Sequence, residues 1–293
     1  MKPITVIVPS YNHEKYVEEC LKAIGSQTFR DFQWIVVDDC SKDNTPEILK
    51  KYQCVYGYEL ILHDKNVGLA NTLNEVLKNY AKGIFFSICA SDDVWLPNKL
   101  EAQYTFLCNH PEFDMCYSRC YYINDASERV GVDNNLKYRS GNIFKDVLCR
   151  KYQPGIFTMM KINTIKGVGY YKPGIIAEDY YMNCLITHDY EVGFLDEIVG
   201  FYRVAPMEMK RNPMTLVLSH RETVDLFKNE SIYQEAVICW ELYSSQLLAR
   251  YTKFKGFAFK MLLKNLFRLN SPEKRNVAFN ICLHMFLNWS SVC

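Results

Sequence analysis

The chain has 293 residues, 49% of them hydrophobic, with 34 Lys and Arg against 33 Asp and Glu. That hydrophobic share is ordinary for a globular core, and the length allows one large domain or a domain with an appendage. A formal net charge of +1 gives no global electrostatic case for nucleic acid, and none is expected as a partner. Twelve cysteines are scattered without a CxxC pair, and Cys116 and Cys120 are the closest two. Reduced, mostly buried thiols in a cytoplasmic protein are the expectation. The N-terminus runs straight into an apolar stretch without the pattern of a signal peptide, and no run approaches the ~20 apolar residues that span a bilayer.

The first predicted strand is Ile4-Thr5-Val6-Ile7-Val8, which stops at Pro9-Ser10-Tyr11-Asn12. Val17, Leu21 and Ile24 then recur at helical spacing up to Gly25. A second strand, Trp34-Ile35-Val36-Val37, stops at Asp38-Asp39, and Thr45-Pro46 has the form of an N-cap followed by a first helical proline. Leu60-Ile61-Leu62 reads as a short strand, and Asn66-Val67-Gly68 turns into a helix carrying Leu69, Leu73, Val76 and Leu77. The strand over Ile84–Ile88 leads to Ser91-Asp92-Asp93, Pro97 opens a helix, and Met115-Cys116-Tyr117 is another strand. Such alternation implies right-handed βαβ units and a mostly parallel sheet. From 120 to 205 the pattern is less regular, with Gly141, Gly155, Gly167, Gly169 and Gly174 punctuating loops. After the polar stretch 206–213 the chain turns helical, with candidates over 219–229, 233–251, 255–268 and 272–289.

No GxxxxGK[ST] and no GxGxxG after a strand is present, so a P-loop or dinucleotide fold is not expected. Paired acids at strand ends carry the chemistry instead, because ligands of open α/β sheets bind outside the carboxyl ends of the strands. Asp92-Asp93 suits Mg²⁺ or Mn²⁺ that takes its remaining ligands from a diphosphate; an acidic turn capping the next helix is the plain alternative. Asp38-Asp39 can accept hydrogen bonds from a base or a ribose, or simply cap a turn. Glu178-Asp179 opens a helical pattern, where acids answer the macrodipole or act as a general base.

Together these segments resemble the opening of family 2 glycosyltransferases. The resemblance is carried by Thr5–Asn12, Leu21–Thr28, Trp34–Thr45, Asn66-Val67-Gly68-Leu69 with Leu73-Asn74, and Ser91–Leu100, with Glu178-Asp179 following at the family's distance. It is dense over 3–110, looser over 150–203 and not usable beyond. It implies an α/β GT-A fold, a Rossmann-like mostly parallel sheet flanked by helices. The domain would span 1–205, a nucleotide-sugar half (1–110) and an acceptor half (111–205), with a helical extension over 206–293. It also implies inverting transfer of one sugar from a nucleotide-sugar donor, UDP first among carriers, to a glycan or lipid-linked acceptor in surface polysaccharide or lipopolysaccharide synthesis. By position, Pro9, Tyr11 and Asp39 would line the nucleoside pocket, Asp38 would support them, and Asn66 and Asn74 would lie near it. Asp92 would contact the ribose or sugar-phosphate, Asp93 would hold Mn²⁺ or Mg²⁺, Asp179 would be the base, and Glu178 would shape the acceptor side. Relatives often carry an Asp where this chain has Ala90, and the QxxRW of processive synthases is absent, Phe201-Tyr202-Arg203 being the nearest segment. A sugar nucleotidyltransferase and an inactive sugar-nucleotide-binding or scaffold protein are the alternatives.

Lesser candidates are Arg203 for the diphosphate, and Tyr170, Tyr171, Tyr180 and Tyr181 for stacking on sugar rings. His13 and His63 lie near the expected crevice without an assigned role. The helices over 250–289 are basic and aromatic, a pattern that suits peripheral contact with the inner face of a plasma membrane or, equally, a solvated helical cap.

Overall fold

The computed structural model describes residues 2–155, 157–204 and 212–286. Its contacts divide the chain into two compact units, residues 1–143 with 154–206 and residues 144–153 with 207–293. The expected boundary at 205/206 lies outside the described residues, as do Leu287 and Trp289 of the last predicted helix.

The first unit runs β1 (Ile4–Ser10), α1 (Val17–Gly25), β2 (Phe32–Asp38), α2 (Thr45–Tyr56), β3 (Glu59–Leu62), α3 (Leu69–Asn79), β4 (Phe85–Ile88), β5 (Val94–Trp95), α4 (Lys99–Asn109), β6 (Met115–Ile123) and β7 (Arg129–Val132). After the segment that belongs to the second unit, which holds α5 (Phe144–Leu148), it resumes with β8 (Thr158–Lys161), α6 (Ile162–Gly167), α7 (Glu178–Asp189) and β9 (Val192–Arg203). The strands form one sheet in the order β3-β2-β1-β4-β8-β6-β9-β5, with β7 beside β6. The half built from β3, β2, β1 and β4 is parallel, as the alternating pattern predicts. In the other half β8 runs antiparallel to β4 and β6, and only β6 and β9 are parallel.

β1 and β2 are buried along nearly their whole length, which is why they read as continuous β-branched runs. Val17, Cys20, Leu21, Ala23 and Ile24 of α1 supply the facing layer. Trp34 closes the far side, with the rings of Tyr56 and Tyr58 at 5.5 and 4.9 Å. Gln27, fully buried, joins the end of α1 to the loop after β5: its amide nitrogen donates to the Leu96 carbonyl (2.8 Å) and its oxygen accepts from Leu100 N–H (3.0 Å). Thr45 is the first residue of α2 rather than its cap, and its hydroxyl accepts the His13 N–H instead.

The second unit contains α5, α8 (Pro213–Asp225), α9 (Tyr233–Leu248), α10 (Lys255–Lys264) and α11 (Pro272–Phe286). α5 and its following turn belong here because Phe144 packs on Phe227 (4.9 Å) and the Arg150 guanidinium lies 3.9 Å over the Tyr243 ring. α8 starts six residues before the predicted 219, since Asn212 caps it by accepting Met214 N–H (3.0 Å) and Pro213 opens it.

Lys99 is fully buried at the start of α4. Its ammonium donates to Ser87 Oγ and to the Thr158 carbonyl (3.1 Å) and lies 3.9 Å over the Trp95 ring. Burial pulls its pKa from 10.5 down to about 7. Between those values the unfolded chain holds a proton that the folded one has lost, so this group makes stability rise with pH across that window, and its cost is full below it. Denaturant titrations of wild type and Lys99→Met along a pH series should differ by this slope; parallel curves would place the Lys99 pKa outside the window.

Candidate active site

The carboxyl ends of β1, β2 and β4 lie side by side, Ser10 beside Asp38 and Ile7 beside Ile88. The loops that leave the first two strands are tied to each other. Asn12 N–H donates to Ser41 Oγ (2.8 Å), Lys42 N–H to Asn12 Oδ1 (2.7 Å), Glu14 N–H to Asp43 Oδ2 (3.0 Å) and Asn44 N–H to Glu14 Oε2 (2.8 Å). This geometry needs left-handed backbone at Asn12 (φ 54°) and Cys40 (φ 63°). Asn takes that conformation readily; Cys does so at a cost of roughly 1–2 kcal/mol. Asp38 holds Cys40 there: the buried carboxylate accepts Ser41 N–H (2.8 Å) and Ser41 O–H (2.5 Å).

Asp39 is buried and does not point freely into the crevice. Its carboxylate accepts Val67 N–H and Gly68 N–H (2.8 Å each) and lies 2.9 Å from His63 Nδ1, whose other nitrogen is 3.1 Å from Glu75. A carboxylate offers about four acceptor sites, and three are engaged. Asp39 therefore builds the rim by fixing the turn before α3. Asn74 is buried, and its amide donates to the Tyr171 carbonyl (2.7 Å) and accepts Tyr171 N–H (3.0 Å), so it holds the 171 segment. Pro9 is half-buried at the end of β1, while Tyr11 and Asn66 are exposed at the rim.

Asp92 and Asp93 follow the turn closed by Asp93 N–H on the Ala90 carbonyl (3.0 Å). The His13 ring braces that turn from the first loop through Ser91 Oγ (2.7 Å). Asp93 is 2% exposed and its Oδ1 accepts Arg203 N–H (2.9 Å); Asp92 is half-buried. Burial, then the Asp92 charge, pushes the Asp93 carboxyl well above the usual carboxylate range, and Arg203 offsets only part of this. Arg203 does not reach outward for a diphosphate. Its guanidinium donates to the Asp92 carbonyl (2.9 Å), the Asn124 carbonyl (2.7 Å), Glu19 Oε2 (2.8 Å) and Ser127 Oγ (3.0 Å), and stacks 4.5 Å over Tyr16.

A divalent cation fits this pair on one condition. No group of three or more His, Cys, Asp or Glu among the described residues could hold a metal by itself. Two adjacent carboxylates suit an ion that brings most of its oxygen ligands as substrate phosphates and water, the usual habit of Mg²⁺.

Glu178 and Asp179 form the first turn of α7, where negative charge faces the positive end of the helix. Asp179 is exposed, and its Oδ1 accepts Tyr180 N–H (2.7 Å). Among the tyrosines read as sugar platforms, Tyr171 and Tyr180 are core residues, 6% and 2% exposed. Tyr170 instead carries the Lys78 ammonium over its ring at 4.7 Å.

The residue that sequence reasoning missed is Tyr202. It lies near the end of β9, beside Tyr122 of β6, and is 37% exposed. Burial, then the charges of Asp93, Asp92 and Asp179, raise its pKa to about 12. Recognising 192–203 as a strand would have exposed it.

The family model described as glycosyl transferase family 2 matches residues 5–165. An uncharacterized glycosyltransferase of Methanocaldococcus jannaschii is 25% identical over 252 residues, covering 84% of this chain and 86% of its own. An uncharacterized Mycobacterium tuberculosis protein is 34% identical over 205 residues, 68% of this chain and 58% of that one. Among solved structures, S. aureus TarS 1–349 in complex with UDP-GlcNAc superposes with a TM-score of 0.65 at 22% identity, covering 95% of this chain and 79% of that one. Mannosyltransferase PcManGT from Pyrobaculum calidifontis, in complex with GDP-Man and Mn2+, gives 0.60 at 15%, covering 98% and 88%. With the acid-bearing strand ends inside the matched span and the GT-A architecture shared, this chain belongs to glycosyl transferase family 2 and is a glycosyltransferase.

Proposed function

We propose that this enzyme transfers a single sugar, with inversion, from a nucleotide-diphosphate sugar to a hydroxyl of a glycan or lipid-linked acceptor during surface polysaccharide or lipopolysaccharide synthesis. The observation that carries this reading is the acid-bearing carboxyl end of the parallel half-sheet: Asp38 closes β2 with Asp39 after it, and Asp92 and Asp93 follow β4, inside the span of the family match. These are acids suited to a donor diphosphate, and Asp179 at the start of α7 is an exposed acid suited to a base. A UDP-sugar is the first choice of donor, supported by the UDP-GlcNAc complex of the TarS neighbour; the PcManGT neighbour holds GDP-Man and Mn2+. A Bacillus subtilis relative, 34% identical over 105 residues, is named provisionally for teichuronic acid biosynthesis, which fits a surface-polymer acceptor.

Asp179 takes the proton from the acceptor hydroxyl as that oxygen bonds to the anomeric carbon. The bond from that carbon to the diphosphate oxygen breaks on the opposite face, and the nucleoside diphosphate leaves with the electron pair. Glu178 shapes the acceptor side, and the tied loops with Pro9, Tyr11 and Asn66 seat the nucleoside, so that the reactants meet in line. Asp92 and Asp93 would hold Mn²⁺ or Mg²⁺, which when bound supplies positive charge to the departing diphosphate.

Calorimetry with UDP, GDP and dTDP, each with Mn²⁺ and with EDTA, tests the donor half. One nucleotide should bind with metal and fail to bind with EDTA or to Asp93→Ala; no binding of any of them to wild type would sink the reading. Asp179→Asn should keep that binding and lose about 10²–10⁴ in turnover. Retained turnover would remove Asp179 as the base.

Arg203 separates positioning from contact. Arg203→Met leaves the part-buried Asp92 and Asn124 carbonyls without this donor and Glu19 with the Ser127 hydroxyl alone, so urea denaturation should show a loss of about 1–3 kcal/mol. A stable variant that had lost only nucleotide affinity would show instead that Arg203 touches the diphosphate.

A further inference from the structure

The second unit carries an apolar surface that its own packing does not use. α10 buries Ala258, Met261 and Leu262. The same stretch leaves Phe257, Phe259, Leu263, Leu266 and Phe267 exposed, and Phe267 is as exposed as a residue can be, at 101%. Isolated exposed apolar residues need no explanation, but five large ones within a helix and the turn after it do.

The charge around this surface says what it fits. Residues 250–275 hold eight Lys and Arg against one acid, Glu273. Lys264 is paired with Glu241 and Lys274 with Glu235. Lys253, Lys260, Arg268 and Arg275 are exposed and have no ion pair among the described residues. Large apolar side chains interleaved with unpaired cations match the boundary of an anionic bilayer, with acyl chains for the rings and lipid phosphates for the cations. A second copy of the chain is a poor match, because two such faces would bring like charges together. No described helix is long and apolar enough to cross a membrane, so the contact is peripheral.

We propose that the α10 face, with Phe257 and Phe267 as its apolar anchors and Lys260 and Arg268 as its cationic contacts, docks the enzyme on an anionic phospholipid surface. The contact needs neither donor nor acceptor, so it stands or falls independently of the transferase mechanism.

Flotation of the full chain with liposomes tests it. The protein should float with phosphatidylcholine–phosphatidylglycerol vesicles at low salt. It should bind about tenfold more weakly to phosphatidylcholine alone or at high salt. Phe257→Ser with Phe267→Ser, and separately Lys260→Glu with Arg268→Glu, should each reduce binding about tenfold or more while the circular dichroism melt is unchanged. These sites are on the surface, so loss of fold is not the expected cause. A wild-type chain that stays unbound with mixed vesicles at low salt overturns the proposal. So does undiminished binding by both double variants. A wild-type dimer in light scattering that Phe257→Ser with Phe267→Ser dissolves would show that a second copy covers this face, and would overturn it too.

Discussion

A guanidinium that is 4% exposed has to place its donors inside the protein, because an unpaired buried charge is costly by several kcal/mol. Arg203 does so by joining three parts of the first unit: Glu19 on α1, the turn holding Asn124 and Ser127, and the Asp92 carbonyl. Its own backbone N–H meets Asp93. The backbone of Asp92 and the carboxylate of Asp93 are thus tied to the last strand of the sheet and, through the Arg203 guanidinium, to its first helix. A site for a diphosphate has to be fixed in this way, since a small displacement of the reacting groups lowers the rate steeply.

The same logic separates residues that build the crevice from residues that face it. Asp38, Asp39 and Asn74 are buried, and their polar atoms are engaged by Ser41, by the 67–68 turn with His63, and by Tyr171. Tyr11, Asn66 and Asp179 are exposed, and Asp92 is half-buried. The first group makes the second precise. Left-handed backbone at Asn12 and Cys40 is sustained by the hydrogen bonds across the two loops, which leaves the rim little freedom to rearrange when a nucleoside arrives.

The first half of the fold was legible because its signals are local. β1 and β2 are buried on both faces, so they read as unbroken apolar runs, and each ends in polar residues that mark the crevice. β9 was not legible. Its twelve residues include Gly193, Asp196, Glu197 and Gly200, and its pairing with β6 is interrupted by register shifts. The glycines are there because a Cβ at Gly193 would meet the Phe106 ring and one at Gly200 the Phe157 ring. In sequence they look like loop punctuation; in the sheet they are close approaches of a strand to aromatic neighbours. With β9 unseen, Tyr202 had no position and Arg203 no partners. Asn74 shows a different limit: a sequence gives a side chain's hydrogen-bonding capacity but not how much of it the fold already uses.

Charge sets the last constraint. Burial and the neighbouring Asp92 charge raise the Asp93 pKa, so a further negative charge in the proposed donor site is costly. A nucleotide diphosphate is negative too, and the Arg203 guanidinium beside the acid loop is already engaged by Glu19 and Ser127. Two negative partners meet favourably only if positive charge comes with one of them. On the proposed function that charge is a divalent ion arriving with the diphosphate, and this ties donor entry to metal more tightly than the small number of carboxylates suggests.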